Sequence, residues 1–273
     1  MNDVKGKIGV FDSGFGGLSI MREIVKLMPQ YDYVYLGDSA RAPYGDRSQD
    51  TIYEYTKEGV DFLFGQGAEI IILACNSASS EALRRIQREY LPLKYPSKKV
   101  LGVIIPAAEE AVGQSKNKKI GVLGTVATVS SHAFTREIQK LDSSIEVFEV
   151  AAPLLVPLVE AGEEGSESAK ILVQKYVEEV SLRGIDMLIL GCTHYGFLAD
   201  EIRRAAEGVT VVEEGKLVAD KLSTYLVKHA EVADILSQTF NLEFYTTDSA
   251  ENFDKHGSRF FGQEVRSKQV GLS

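Results

Sequence analysis

The chain has 273 residues, 44% of them apolar and 25% charged, with 24 glycines and 7 prolines. That length is roughly two domains' worth at about 150 residues each, and the composition excludes disordered and fibrous classes. A net charge of −9 repels phosphate backbones and anionic lipid, so nucleic acid is not an expected partner. In chain order, residues 7–11 predict a strand, after which Ile20, Met21, Ile24, Leu27 and Met28 fall on one helical face that Pro29 ends. Residues 33–36 predict a second strand, followed by the loop 37–45. A helix over 50–64 stops at Gly65 and Gly67, and residues 69–74 read as a strand buried on both faces. Further strands are expected at 99–104, 119–123, 186–190, 209–212 and 242–246, with a final helix after the last. Such alternation predicts parallel sheets with helices on both faces.

The chain contains itself twice. KIGVF at 7–11 matches KIGVL at 119–123, and EIIILACN at 69–76 matches DMLILGCT at 186–193. Buried strands resemble one another by chance, but these matches keep their order and put the only two cysteines at equivalent positions. The fold expected is therefore two similar parallel-sheet α/β lobes related by a pseudo-twofold axis, with the active site in the cleft between them. The basic, proline-bearing stretch 92–98 marks the expected boundary: residues 1–98 with 208–273 form the first lobe and 99–207 the second.

No apolar run approaches the roughly 18 residues a membrane span requires, so no membrane association is expected. The opening MNDVKGK is charged and leads into an apolar segment without a cleavage pattern, so no signal peptide is expected. Two cysteines 117 residues apart make no disulfide framework, and the expected setting is reducing and cytoplasmic, with both thiols free.

Ligands of parallel α/β sheets bind beyond the carboxyl ends of the strands. Asp12-Ser13, Cys75-Asn76-Ser77 and Cys192-Thr193-His194 occupy such ends. Two thiols facing one cleft from opposite lobes suit inversion of a stereocentre: one removes a proton from a weakly acidic carbon, the other returns one to the opposite face. A free cysteine is also simply a small buried hydrophobe, a reading that weakens when both sit at repeated strand ends. Gly14-Phe15-Gly16-Gly17-Leu18-Ser19 resembles a dinucleotide fingerprint, but Ser19 stands at the third glycine position and Asp12 would face the pyrophosphate. A zinc site from Cys75, Cys192 and His194 lacks a visible fourth ligand, and a redox pair would want a C-x-x-C. No metal or cofactor is expected.

DSGFGGLS (12–19), APYG (42–45), ACNSAS (74–79) and GCTHY (191–195), in this order and spacing, resemble the glutamate racemases of the aspartate/glutamate racemase superfamily. The likeness runs from about residue 7 to residue 261. It implies cofactor-independent interconversion of L- and D-glutamate, supplying D-glutamate for peptidoglycan, with a small-molecule substrate and a homodimer as the expected assembly. By the same resemblance Cys75 is the base acting on the D-enantiomer, assisted by Asp12. Cys192 acts on the L-enantiomer, assisted by His194 and Glu160. Glu160 rests on LVEAG (158–162) alone and reads equally as a solvated helix glutamate.

Ser13, Pro43, Tyr44, Gly45, Asn76, Ser77, Thr125, Thr128 and Thr193 match positions that, with Asp12 and His194, hold the substrate's amino and carboxylate groups. Hydroxyls, an amide and turn N–H groups suit that task with few cations. Structural alternatives are N-caps for Ser13 and Ser77, an exposed loop aromatic for Tyr44, and a satisfied structural histidine for His194. The chain departs from the family pattern at Ser77, often threonine, and at Gly196, usually proline, which loosens the turn carrying Cys192 and His194. The motifs begin at residue 8, so the amino-terminal extension of members activated by a peptidoglycan precursor is not expected. The competing functions are an aspartate racemase or other superfamily relative, and a catalytically silent binding protein, some glutamate racemases being reported to bind DNA gyrase. The silent reading predicts a missing thiol, and both are present.

Overall fold

The structure is a computed structural model and describes residues 5–272; the first four residues of the charged opening stretch lie outside it. In chain order the strands are β1 (Lys7–Asp12), β2 (Tyr33–Gly37), β3 (Ala68–Leu73), β4 (Lys99–Gly102), β5 (Lys119–Gly124), β6 (Glu146–Ala151), β7 (Met187–Gly191), β8 (Thr210–Val212), β9 (Leu242–Thr246) and β10 (Ser267–Gln269). They form two sheets, β10-β9-β2-β1-β3-β4 and β6-β5-β7-β8, in which every pairing is parallel. The expected pair of parallel α/β lobes is what the chain builds. The repeat is visible in the topology: β1 lies beside β3 in one sheet as β5 lies beside β7 in the other.

Helices cover both faces of the central strands, which explains their near-continuous Ile, Val and Leu runs. The helix Leu18–Leu27 buries Leu18, Ile20, Met21 and Ile24 and packs along the helix Glu214–Lys228. Each such side chain contributes about 2 kcal/mol of burial. Its chain turns away at Met28, just before Pro29. The helix Gln49–Gly65 starts on Ser48, whose Oγ accepts from the Thr51 N–H at 3.3 Å, and is followed by Gly67 at φ +89°. No helix among the described residues is long and apolar enough to cross a membrane.

Two strands sit in the opposite sheet from the one implied by the expected division. β4 pairs with β3, from Ile70 opposite Lys99 to Leu73 opposite Gly102, so the first sheet continues beyond residue 98. β8 pairs with β7, so the second sheet extends past residue 207. The Pro92 stretch is no linker: Leu91–Lys94 is a short helical turn with its proline at the start, where a missing N–H costs nothing. By sheet membership the chain crosses between lobes after β4 and again after β8. β6 and β10 were not anticipated; β6 is an edge strand, largely half-exposed and interrupted by glutamates, and β10 has three residues.

Candidate active site

A cavity of about 300 Å3 lies between the lobes, lined by the loops that follow β1, β2 and β3 on one side and β5, β6 and β7 on the other. Cys75 and Cys192, both buried and free, contribute to the same wall-to-wall space from opposite lobes. Ser13, Pro43, Tyr44, Gly45, Asn76, Ser77, Thr125, Glu160, Thr193 and His194 also line it. Asp12 and Thr128 do not. Asp12 lies buried behind the wall, and Thr128 contacts Thr125, whose Oγ1 donates to the Thr128 hydroxyl oxygen at 3.1 Å and accepts from the Thr128 N–H at 3.2 Å.

Cys75 lies two residues beyond β3 and caps the short helix Asn76–Glu81, its sulfur accepting from the Ala78 N–H at 3.5 Å. Its S–H faces the Ser13 Oγ, also at 3.5 Å. Burial, reinforced by the negative charge of Asp12, pushes this thiol up to about 12 against the opposing pull of those two contacts. The Asp12 carboxyl is itself raised by burial, against the charge of His194 and the N–H groups of Gly14 and Gly17. Its Oδ2 accepts from Gly14 N at 2.9 Å while Oδ1 has no partner.

The second thiol has different company. Cys192 Sγ lies 3.8 Å from His194 Nδ1, and His194 Nε2 lies 3.1 Å from Glu160 Oε1. Burial pulls the imidazole down, but its contacts to Cys192 and Glu160 prevail and hold it up at about 10. His194 is thus protonated at neutral pH. An imidazolium at this distance stabilises negative charge developing on the Cys192 sulfur. Glu160, half-buried at the end of the helix Leu155–Glu160, reaches His194 rather than standing in solvent. The Tyr195 hydroxyl, fully buried, donates to the carbonyls of Gly124 and Ala152 at 3.1 and 2.8 Å and clamps the turn before Gly196 to the lobe.

Two glycines, Gly16 of the first motif and Gly45 of the second, allow the lobes to close on each other. A Cβ on Gly16 would collide with Thr193 Oγ1 and the His194 ring, and one on Gly45 would lie 2.8 Å from Thr125 Cβ. Gly45 O also accepts from the Ala127 N–H at 2.8 Å, and Ser77 Oγ meets Thr125 Oγ1 at 3.0 Å, so both bonds cross the cleft. Tyr44 is buried, not an exposed loop aromatic; its hydroxyl donates to Asp38, which Arg41 and Thr247 also hold. Asp38 and the apolar wall of Pro153, Leu154, Val156 and Pro157 were not anticipated. That wall follows β6, the strand missed in the sequence. Among the described residues no lysine or arginine lines the cavity, so a bound carboxylate would be met by hydroxyls, amides and N–H groups. Among the described residues no group of three or more His, Cys, Asp or Glu side chains is arranged to hold a metal ion.

Two repeated α/β lobes, each giving one thiol to a small cavity between them, are the arrangement of this protein's class. A family model described as Asp/Glu/Hydantoin racemase matches residues 8–222, and the chain belongs to that family. A glutamate racemase of Sulfurihydrogenibium sp. is 39% identical over 267 residues, 97% of each chain. Among solved structures, glutamate racemase isoform RacE1 of Bacillus anthracis superposes with a TM-score of 0.89 at 34% identity, covering 98% of both chains. The glutamate racemase of Francisella tularensis in complex with D-glutamate gives 0.88 at 29% identity, again over 98% of both.

Proposed function

We propose that the protein is a cofactor-independent glutamate racemase working by two thiol bases. The observation that carries this reading is the pair of strand-end cysteines from opposite lobes lining one cavity, each with its own set of partners. In the L-to-D direction Cys192, as thiolate beside the His194 imidazolium, takes the Cα proton. The electron pair left on Cα delocalises into the adjoining carboxylate, and the Cys75 S–H delivers its proton to the opposite face. Cys192 ends as thiol and Cys75 as thiolate, so the D-to-L direction runs the same steps in reverse. In this scheme Asp12 assists Cys75, while His194 and Glu160 assist Cys192. Ser13, Asn76, Ser77, Thr125 and Thr193, with the Pro43-Tyr44-Gly45 backbone, hold the substrate's charged groups, and Thr128 orients Thr125.

Glutamate is preferred to aspartate because the relatives of high coverage are named glutamate racemases. Supply of D-glutamate to peptidoglycan, a cytoplasmic setting and a homodimer belong to the same reading. The test is circular dichroism of L- and D-glutamate incubated with the pure protein, with aspartate in parallel, before and after a metal chelator and a carbonyl reagent. Both glutamate enantiomers should relax to the racemate at rates neither reagent changes. Preferential turnover of aspartate, or loss of activity restored by a metal or pyridoxal phosphate, would overturn the proposal.

A further inference from the structure

Asn76 lines the cavity next to Cys75 and is buried. Its Nδ2 donates to Glu214 Oε2 at 2.7 Å, a bond spanning 138 residues, and its Oδ1 has no partner. Glu214 opens the helix Glu214–Lys228, is 5% exposed, and has no ion-pair partner among the described residues. A buried carboxyl without a cation is costly, and burial pushes this one up to about 8 while the Asn76 amide opposes the shift. The mechanism above leaves Glu214 unused.

An isolated asparagine amide can present either end. Here Glu214 Oε2 is the acceptor, a role open to the carboxyl in either protonation state, so the amide keeps Nδ2 turned inward and its oxygen as the remaining unpartnered atom. Of the groups on glutamate, both carboxylates only accept, and the α-ammonium alone can donate. We propose that Glu214 is a positioning residue: by holding Nδ2 of Asn76 it presents Oδ1 as the acceptor for the substrate's α-ammonium group. This rests on the glutamate racemase reading. It gives the amide a defined direction that neither the motif nor the cavity outline supplies.

The test is steady-state racemisation in both directions by Glu214→Met, Glu214→Ala, Glu214→Gln and Asn76→Ala, alone and with Asn76→Ala combined with Glu214→Met. Methionine fills the same volume without the acceptor and serves if alanine does not fold. KM for both enantiomers should rise about tenfold in Glu214→Met with kcat changed by less than about threefold, because a charge-assisted contact to bound substrate is lost while the thiols are intact. Glutamine, which keeps an acceptor, should restore most of the affinity. The double variant should show the KM of Asn76→Ala alone, since Glu214 acts through Asn76. An unchanged KM in Glu214→Met, or effects that multiply in the double variant, would overturn the inference while leaving the racemase reading intact. Failure of the unaltered protein to racemise glutamate would overturn both.

Discussion

At the scale of single residues, the two thiols are not equivalent. Burial and Asp12 keep Cys75 protonated in the resting site, whereas Cys192 sits beside an imidazole that its neighbours keep charged. In the proposed L-to-D direction this asymmetry suits Cys75 as the acid and Cys192, next to the imidazolium, as the base. The sign of the histidine's contribution to stability follows. His194 titrates near 6.5 when unfolded and is raised to about 10 when folded, so between those values only the folded state holds the proton. Its stabilisation is full below about pH 6.5 and is lost as pH rises through about 10. Urea unfolding of the protein and of His194→Gln at several pH values across that window should show the stability gap shrinking as pH rises. A gap that widens would mean the imidazole is neutral in the folded state. The motif residues around both thiols were legible in the sequence because each lies within a few positions of a strand end. Asp38 and Glu214 were not, since the partners that give them meaning, Thr247 and Asn76, are 209 and 138 residues away.

At the scale of elements, the segment after β1 shows how one glycine pattern serves two kinds of site. Gly14-Phe15-Gly16-Gly17 looks like a phosphate-binding turn, yet Gly16 is required by the approach of Thr193 and His194 from the other lobe. Gly16→Ala should displace that histidine and cost about 1–3 kcal/mol of stability by overpacking, with a larger proportional loss of racemisation than of folding. Paired thermal melts and activity assays check this; full activity in a folded Gly16→Ala variant would refute the close packing at this contact. Central strands β1, β3, β5 and β7 were readable because both faces are buried and the apolar runs are nearly unbroken. β6 was not, because as an edge strand it alternates half-exposed positions with Glu146 and Glu149, and the cavity wall following it was lost with it.

At the scale of the whole molecule, the internal repeat carries the account. Equivalent strands β3 and β7 are each followed by one of the two cysteines, and the sheets bring those ends to one cavity. The chain crosses between lobes after β4 and after β8, and the helix following β8 packs back on Leu18–Leu27 of the first lobe, so the cleft is tied together through packed helices as well as through the crossings. Sequence similarity revealed the two lobes but misplaced the crossings, because β4 and β8 are short and carry no mark of the sheet they join. One base per lobe, each serving one enantiomer, is the central claim. It is tested most directly by proton NMR of the glutamate Cα–H in D2O with Cys75→Ala and Cys192→Ala. The account predicts that neither variant racemises, that Cys75→Ala exchanges the Cα proton of L-glutamate alone, and that Cys192→Ala exchanges that of D-glutamate alone. Racemisation at a near-normal rate by either folded variant, or exchange of the same enantiomer by both, would contradict it.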